Sequence, residues 1–151
     1  FKEVDERLSS LMVILVAIQV PNAFVGVVNQ SMALELAQGS PLLSAFAGPQ
    51  REALVMLFLR LNHWAVIASQ LFWGLWLFPL AILVVRSRFL PKVLGGWLFL
   101  TGLAYVALWV VGTLLPQQYG RVNELLFPLL LGEVVFMLWL LVRGAKAVEA
   151  A

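Results

Sequence analysis

The chain has 151 residues, of which 62% are hydrophobic and 12% charged, whereas soluble domains have about 45–50% apolar and about 25% charged residues. This excess of apolar surface excludes a small soluble domain and predicts an integral membrane protein. The net charge of +2 gives no basis for binding nucleic acid. The lack of cysteine and the single histidine exclude disulfides, thiolate metal sites and bis-histidine haem within one chain, so we expect no metal and no cofactor.

The first two predicted spans are separated by a segment of mixed polarity. A spanning helix needs about 20 mostly apolar residues, and the first such run covers about residues 8–36. Pro21 lies inside it and is expected to kink the helix. The second run covers about residues 63–85. The preceding stretch "PQREALVMLFLRLN", residues 49–62, is predicted to be either an interfacial helix or an extension of the second span.

The third predicted span begins at Pro91 and runs to about residue 115, because proline suits the first position of a helix. The fourth covers about residues 123–142 as one helix. We therefore predict an all-α integral membrane fold, a bundle of four transmembrane helices with an amphipathic segment before the second span. The connector "RSRFLPK", residues 86–92, is expected to form a tight cytoplasmic turn.

Lysine and arginine set the predicted orientation, because their excess lies on the cytoplasmic side of a membrane. With four spans, seven of these residues share one side and three share the other. The seven are Lys2, Arg7, Arg86, Arg88, Lys92, Arg143 and Lys146, and the three are Arg51, Arg60 and Arg121. We expect a multi-pass protein of the cell (inner) membrane with both termini of this chain cytoplasmic.

Glu133 lies in the middle of the apolar run "LLLGEVVFMLWLL" and so near the predicted bilayer midplane. A charged carboxylate at that depth costs at least about 2.5 kcal/mol. Its side chain is therefore expected to face the bundle, and a neutral carboxyl that both donates and accepts hydrogen bonds would suit that environment. It is interpreted either as a structural tie or as a site for a ligand or a proton.

Polar residues at the same predicted depth recur at helical spacing on the other spans. Gln19 and Asn22 share one face of the first span, Gln70 lies on the second, and Tyr105 lies on a glycine-rich face of the third. Small residues let membrane helices approach closely while amides and hydroxyls bond across the contact. The sequence thus predicts a buried polar centre of Glu133, Tyr105, Gln19, Asn22 and Gln70, in which Glu133 bonds to Tyr105 and to an amide of the first span.

A second group of polar residues is predicted on the outer face, at the opposite side from the termini. It comprises Arg60, His63, Arg121 and Glu124. This group is interpreted either as ordinary interfacial polarity or as the mouth of a ligand site that includes His63. No second strong ligand is spaced with His63, so the sequence does not predict a metal site there.

The stretch "FWGLWLFPLAILVVRSRFLPKVLGGWLFLTGLAY", residues 72–105, resembles the bacterial integral membrane proteins catalogued as domain of unknown function 4386. The pattern continues with "GE" and "LWLL" in the fourth span. The matching positions are Phe72, Gly74, Leu75, Arg86, Ser87, Leu90, Pro91, Leu94, Gly95, Gly102, Leu103, Tyr105, Gly132, Glu133, Leu138, Trp139, Leu140, Leu141 and Gly144.

The resemblance implies a membrane location and a pairing of Tyr105 with Glu133, and it implies no activity. Members of the family usually carry further spanning helices upstream, and position 1 is Phe rather than Met. We expect residues 1–151 to form a single transmembrane helical domain, which would be the C-terminal part of a longer protein if those upstream helices exist.

Three hypotheses for function remain open on the sequence. The first is a non-enzymatic structural or accessory membrane protein. The second is a binder or transporter of a small hydrophobic or cationic molecule that uses the polar centre around Glu133. The third is a membrane enzyme acting on a lipid or quinone, which has the least support, because no nucleophile–base pair or catalytic motif is recognisable and no catalytic residue is predicted.

Expected partners are membrane lipids and other membrane subunits or a second copy of the chain, and not nucleic acid.

Overall fold

The computed structural model describes residues 1–39, 46–87 and 90–143, and all regular structure in these ranges is helical. The helices are α1 (Glu6–Gln38), α2 (Gly48–Arg86), α3 (Lys92–Leu114), α4 (Tyr119–Leu130) and α5 (Gly132–Arg143), with a 3₁₀ turn at Pro116–Gln118. Four helical stretches are long and apolar enough to cross a membrane, the fourth being Pro116–Arg143. The predicted all-α, four-span architecture is confirmed.

Helices α1 and α2 are both longer than the predicted spans. α1 continues through Pro21 without a break and ends at Gln38. Gly39 follows with a φ of 74°, the left-handed conformation that glycine adopts at low cost. The segment 49–62 belongs to α2 without interruption, so it extends the second span and is not a separate interfacial helix. With 39 residues, α2 is about 58 Å long, which exceeds a hydrocarbon core of about 30 Å.

Helix α3 starts and stops at local sequence signals, close to the predicted bounds. Pro91 precedes its first residue with extended backbone angles, and Leu115 follows its last residue. Pro116 then opens the 3₁₀ turn, because proline cannot continue the hydrogen-bonding pattern of a helix. Two residues of the predicted turn "RSRFLPK", at positions 88 and 89, lie outside the described residues.

The fourth span is not the single helix that the sequence predicts over residues 123–142. It begins earlier, at Tyr119, and a turn at Leu131 divides it into α4 and α5. Pro128 lies inside α4 three residues before that turn. Proline lacks a backbone N–H and its ring crowds the preceding turn of helix, so a sharp change in a helix commonly lies near it.

The chain divides into two compact units, each considered by itself. The first comprises residues 1–17 with the described part of residues 70–151. Its core consists of buried side chains from α2, α3 and α5, namely Leu77, Leu80, Ala81, Val84, Leu94, Leu98 and Phe136, together with Leu90. Near its N-terminus, the Arg86 guanidinium forms an ion pair with the Asp5 carboxylate, to which it donates a 2.7 Å hydrogen bond.

Close packing of α2 on α3 depends on glycine. A Cβ atom at Gly74 would lie 2.7 Å from the carbonyl oxygen of Gly102, and one at Gly95 would lie 2.9 Å from the carbonyl oxygen of Ala81. Neither position has room for a side chain. The backbones of the two helices therefore touch, as small residues permit in membrane proteins.

The second unit, residues 18–69, pairs the C-terminal part of α1 with the N-terminal part of α2. The Asn22 amide donates hydrogen bonds to the carbonyl oxygen of Ala65 and to the Ser69 hydroxyl. Ala33, Leu36 and Ile67 are buried, whereas large apolar side chains such as Phe24 and Met56 are about two-thirds exposed. An apolar surface of this kind suits hydrocarbon rather than water.

Candidate functional site

The turn at Leu131 is held by side chains of α3. The indole Nε1 of Trp97 donates a 3.2 Å hydrogen bond to the carbonyl oxygen of Leu129, and the Thr101 hydroxyl donates to the same oxygen at 2.6 Å. An irregular backbone within a membrane persists only where its polar groups find partners inside the protein. Trp97 and Thr101 supply those partners at this break.

Gly132, the first residue of α5, is packed directly against the same two side chains. A Cβ atom at this position would lie 2.7 Å from Cδ1 of Trp97 and still closer to the Thr101 hydroxyl. Such contacts are shorter than real Cβ atoms show, so only glycine fits without a shift of α3 or α5. The absence of a side chain at Gly132 thus lets the N-terminus of α5 rest on α3.

Glu133 is the second residue of α5 and lies in its first turn. A carboxylate is favourable there, because the unpaired N–H groups at a helix N-terminus carry partial positive charge. Its carboxyl group is hydrogen-bonded to the Tyr105 hydroxyl. The other carboxyl oxygen, Oε1, is buried and has no hydrogen-bond partner within the described ranges. A buried acceptor without a donor costs about 1–3 kcal/mol, and more when it is charged.

Aromatic contacts connect this carboxyl group to a second polar pair. The ring of Tyr105 packs edge-on against that of Trp73, with centroids 5.5 Å apart and an interplanar angle of 74°. Gln70 lies three residues before Trp73, on the same face of α2. Its Nε2 lies 2.6 Å from the Tyr119 hydroxyl, to which it donates. The side chains therefore follow one another from Tyr119 to Gln70, Trp73, Tyr105 and Glu133.

The structure distributes the predicted polar centre over the two units. It brings Tyr105 and Glu133 together, and it places Gln70 in the same unit with Tyr119 as partner. The Asn22 amide bonds within residues 18–69, to Ala65 and Ser69. Gln19 is half-buried in that same unit. The role of these five residues as one functional centre stays a prediction.

The predicted outer-face cluster also falls in both units. Arg60 and His63 are exposed, one turn apart on α2, and border an open groove whose floor includes Met56 and Leu57. Arg121 and Glu124 are exposed on α4. Whether these four residues act together stays a prediction.

Trp97, Thr101 and the break itself are the parts of the site that sequence reasoning missed. A tryptophan in an apolar helix is typical of packing or of a membrane interface, and a threonine inside such a helix gives no signal of its own. The available signal was Pro128 followed four residues later by Gly132, at the depth of Glu133. Two helix-disfavouring residues that close together predict an interrupted span.

The site offers one carboxyl group among hydroxyls, an amide and aromatic rings. The described ranges contain no group of three or more His, Cys, Asp or Glu side chains that could hold a metal ion. A single carboxylate beside the Tyr105 ring matches the charge of a monovalent organic cation. Both the carboxylate and an aromatic ring face attract such a cation.

Comparison with known proteins gives a family and no activity. Residues 1–144 match the family described as "Domain of unknown function (DUF4386)". An uncharacterized protein of the archaeon Archaeoglobus fulgidus is 34% identical over 79 residues, which are 52% of this chain and 46% of that protein. The matched region thus spans about half the length of this relative, which is archaeal where the sequence resemblance suggested bacterial proteins. No solved structure matches.

Proposed function

This chain belongs to the family described as domain of unknown function DUF4386, and we propose that it is a non-enzymatic multi-pass membrane protein that binds a small organic cation at Glu133. The alternatives from the sequence were a purely structural membrane protein and a membrane enzyme. The unpaired, buried Oε1 of Glu133 favours binding over both.

A purely structural role would be met by a fully bonded carboxyl group. The hydrogen bond with Tyr105 uses one side of the carboxyl group and leaves the buried Oε1 without a donor. A glutamine would bond to Tyr105 in the same space at lower cost, since a charged group in the membrane is expensive. A bound ligand that donates a hydrogen bond and carries a positive charge would remove both the cost of the unpaired oxygen and the cost of the unbalanced charge.

The surroundings of Glu133 favour an organic cation over a neutral apolar molecule. The ring of Tyr105 lies next to the carboxyl group and packs edge-on against the ring of Trp73, and aromatic faces attract ammonium groups with about 0.5–2 kcal/mol. The turn at Leu131 also places the carboxyl group at an interruption of the helix. In membrane transporters, interrupted helices of this kind commonly line substrate sites at the midplane.

We place the protein, as part of the same proposal, in the cell (inner) membrane of a bacterium or an archaeon with both termini of this chain on the cytoplasmic side. The support is the distribution of seven lysine and arginine residues on one side of the spans against three on the other. The exposed apolar surfaces of α1 and α2 are then available to lipids or to partner membrane subunits.

Thermal unfolding of the purified full chain in a non-ionic detergent tests the proposal, with n-hexylamine as the cationic probe and n-hexanol as its neutral counterpart. A ligand that binds only the folded state raises the unfolding midpoint as its concentration rises. We expect n-hexylamine to raise the midpoint of the wild type and n-hexanol to leave it unchanged.

The matched variants are Glu133→Gln and Glu124→Gln, because Glu124 is an exposed acid on α4 of the same span. The amine should stabilise the Glu124→Gln variant as it does the wild type and should not stabilise the Glu133→Gln variant. Equal stabilisation of all three proteins, or of none, would contradict binding at Glu133.

A further inference from the structure

Gln70 provides a second buried acceptor in the same unit as Glu133. Its side chain is only 4% exposed, and its Nε2 donates to the Tyr119 hydroxyl. Its carbonyl oxygen, Oε1, has no hydrogen-bond partner among the described residues. Two buried acceptor oxygens without donors, Oε1 of Gln70 and Oε1 of Glu133, therefore lie in one compact unit.

A series of neighbouring side chains lies between the two acceptors. Gln70 and Trp73 are neighbours on one face of α2, Trp73 packs on Tyr105, and Tyr105 bonds to Glu133. Gly74 follows Trp73 and would have no room for a Cβ atom against the Gly102 carbonyl. The aromatic pair thus lies beside a close approach of α2 to α3, with Gln70 next to Trp73 and Glu133 next to Tyr105.

We infer that the ligand of this site carries one ammonium group, which pairs with Glu133, and a second, neutral hydrogen-bond donor, which reaches Gln70, as in an aliphatic amino alcohol. This inference rests on the proposed function and adds the chemical class of the ligand. It accounts for the second unpaired oxygen, which a simple alkylamine would leave without a donor.

The second donor should be neutral because of the charges at the two ends. Glu133 supplies one negative charge, which balances one ammonium group. Gln70 is an uncharged amide, so a second ammonium group beside it would lose its hydration without gaining a counter-charge. A hydroxyl or amide N–H loses much less on burial and donates equally well to a carbonyl oxygen. A diamine should therefore bind more weakly than the corresponding amino alcohol.

Apparent dissociation constants from the ligand dependence of the unfolding midpoint test this ligand class. The probes are α,ω-amino alcohols of three to eight carbons, each compared with the n-alkylamine and the α,ω-diamine of equal chain length. At the best-fitting length, we expect the amino alcohol to bind the wild type about five- to tenfold more tightly than the alkylamine, the value of one added hydrogen bond.

Gln70→Met and Tyr119→Phe separate the two functions of the Gln70 amide. Methionine keeps an unbranched side chain of similar length without a carbonyl oxygen, so the advantage of the amino alcohol should fall to about onefold. Tyr119→Phe removes the partner of Nε2 and leaves Oε1 in place, so most of the advantage should remain. The wild-type comparison needs neither variant and stands if one of them fails to fold.

The outcomes distinguish this inference from the proposed function. Amines that bind only when Glu133 is present, with no preference for amino alcohols at any length, overturn the inference and leave the proposed function standing. Tightest binding by diamines also overturns it. If no amine binds the wild type at all, the proposed function fails and the inference fails with it.

Discussion

The Thr101 hydroxyl lies 2.6 Å from the carbonyl oxygen of Leu129 and joins α3 to the fourth span at the point where that span is interrupted. Thr101 has no exposed surface, so its hydroxyl has no access to solvent. The interruption near Pro128 is therefore stabilised by a tertiary contact: a carbonyl oxygen at the end of α4 is bonded by α3. Glu133 owes its position at the start of α5 to this arrangement.

Replacement of Thr101 by valine, which has nearly the same shape, should destabilise the protein by about 1 kcal/mol, because the carbonyl oxygen of Leu129 then loses the hydroxyl donor. Thermal unfolding in detergent measures the loss. Thr113→Val is the matched control, since Thr113 is exposed on the same helix. An unchanged midpoint for Thr101→Val would show that the hydroxyl does not hold the break.

Replacement of Gly132 by alanine should cost about 1–3 kcal/mol, because the added methyl group would overlap Trp97 and Thr101. Gly96→Ala is the matched control, as a Cβ atom at Gly96 meets nothing within 4 Å. That change should be neutral or should stabilise α3 by up to about 1 kcal/mol, the difference in helix propensity. Similar effects of the two substitutions would rule out close packing of α5 on α3 at Gly132.

Replacement of Asn22 by leucine should weaken the pairing of α1 with α2 in residues 18–69. The amide donates to Ala65 and to Ser69, and hydrogen bonds between membrane helices contribute about 0.6 kcal/mol on average and up to about 1.7 kcal/mol. Gln30→Leu, at an exposed position of α1, should leave the unfolding midpoint unchanged. An equal effect of both changes would contradict a specific role for Asn22.

Helix positions followed from the sequence because they depend on local information. A long apolar run that begins after a proline such as Pro91 predicts a helix whatever the rest of the chain does. The extended length of α2 was less accessible, because residues 49–62 contain polar and apolar side chains in a proportion that fits either an interfacial helix or an extension. Continuity of the backbone hydrogen bonds decided between these alternatives.

The candidate site was only partly predictable, because hydrogen-bond partners depend on how helices rotate against one another. The shared depth of Tyr105 and Glu133 was readable from their positions in two apolar runs. The bond from Asn22 to Ser69 was not, since a serine in an apolar helix can bond to its own helix, as Ser69 also does through Ala65. The acceptor at Leu129 is a backbone carbonyl, which no sequence pattern distinguishes.

Cysteine labelling of intact cells should show that the connector after α2 is cytoplasmic. The natural chain has no cysteine, so Lys92→Cys and Gln117→Cys each create a single reactive site. Both positions are exposed, whereas Ser87 in the same connector is buried and would label poorly. A membrane-impermeant maleimide should label Gln117→Cys in intact cells and Lys92→Cys only after permeabilisation. The reverse pattern would invert the proposed orientation.

Replacement of Glu133 separates its structural contribution from its role in binding. Glutamine keeps one donor and one acceptor toward Tyr105, so Glu133→Gln should change the unfolding midpoint little. Leucine leaves the Tyr105 hydroxyl without its partner, so Glu133→Leu should cost about 1–2 kcal/mol. Thermal unfolding of both variants without added amine measures these effects.

Tyr105→Phe completes the comparison, because it removes the same hydrogen bond from the other side. If the bond between Tyr105 and Glu133 carries the stability, adding Tyr105→Phe to Glu133→Leu should cost much less than Tyr105→Phe costs alone. Fully additive losses would mean that the two residues stabilise the protein independently. Equal losses of stability for Glu133→Gln and Glu133→Leu would mean that the negative charge itself stabilises the fold. Glu133 would then be a structural residue, and the partner of its buried oxygen would be a group other than a ligand.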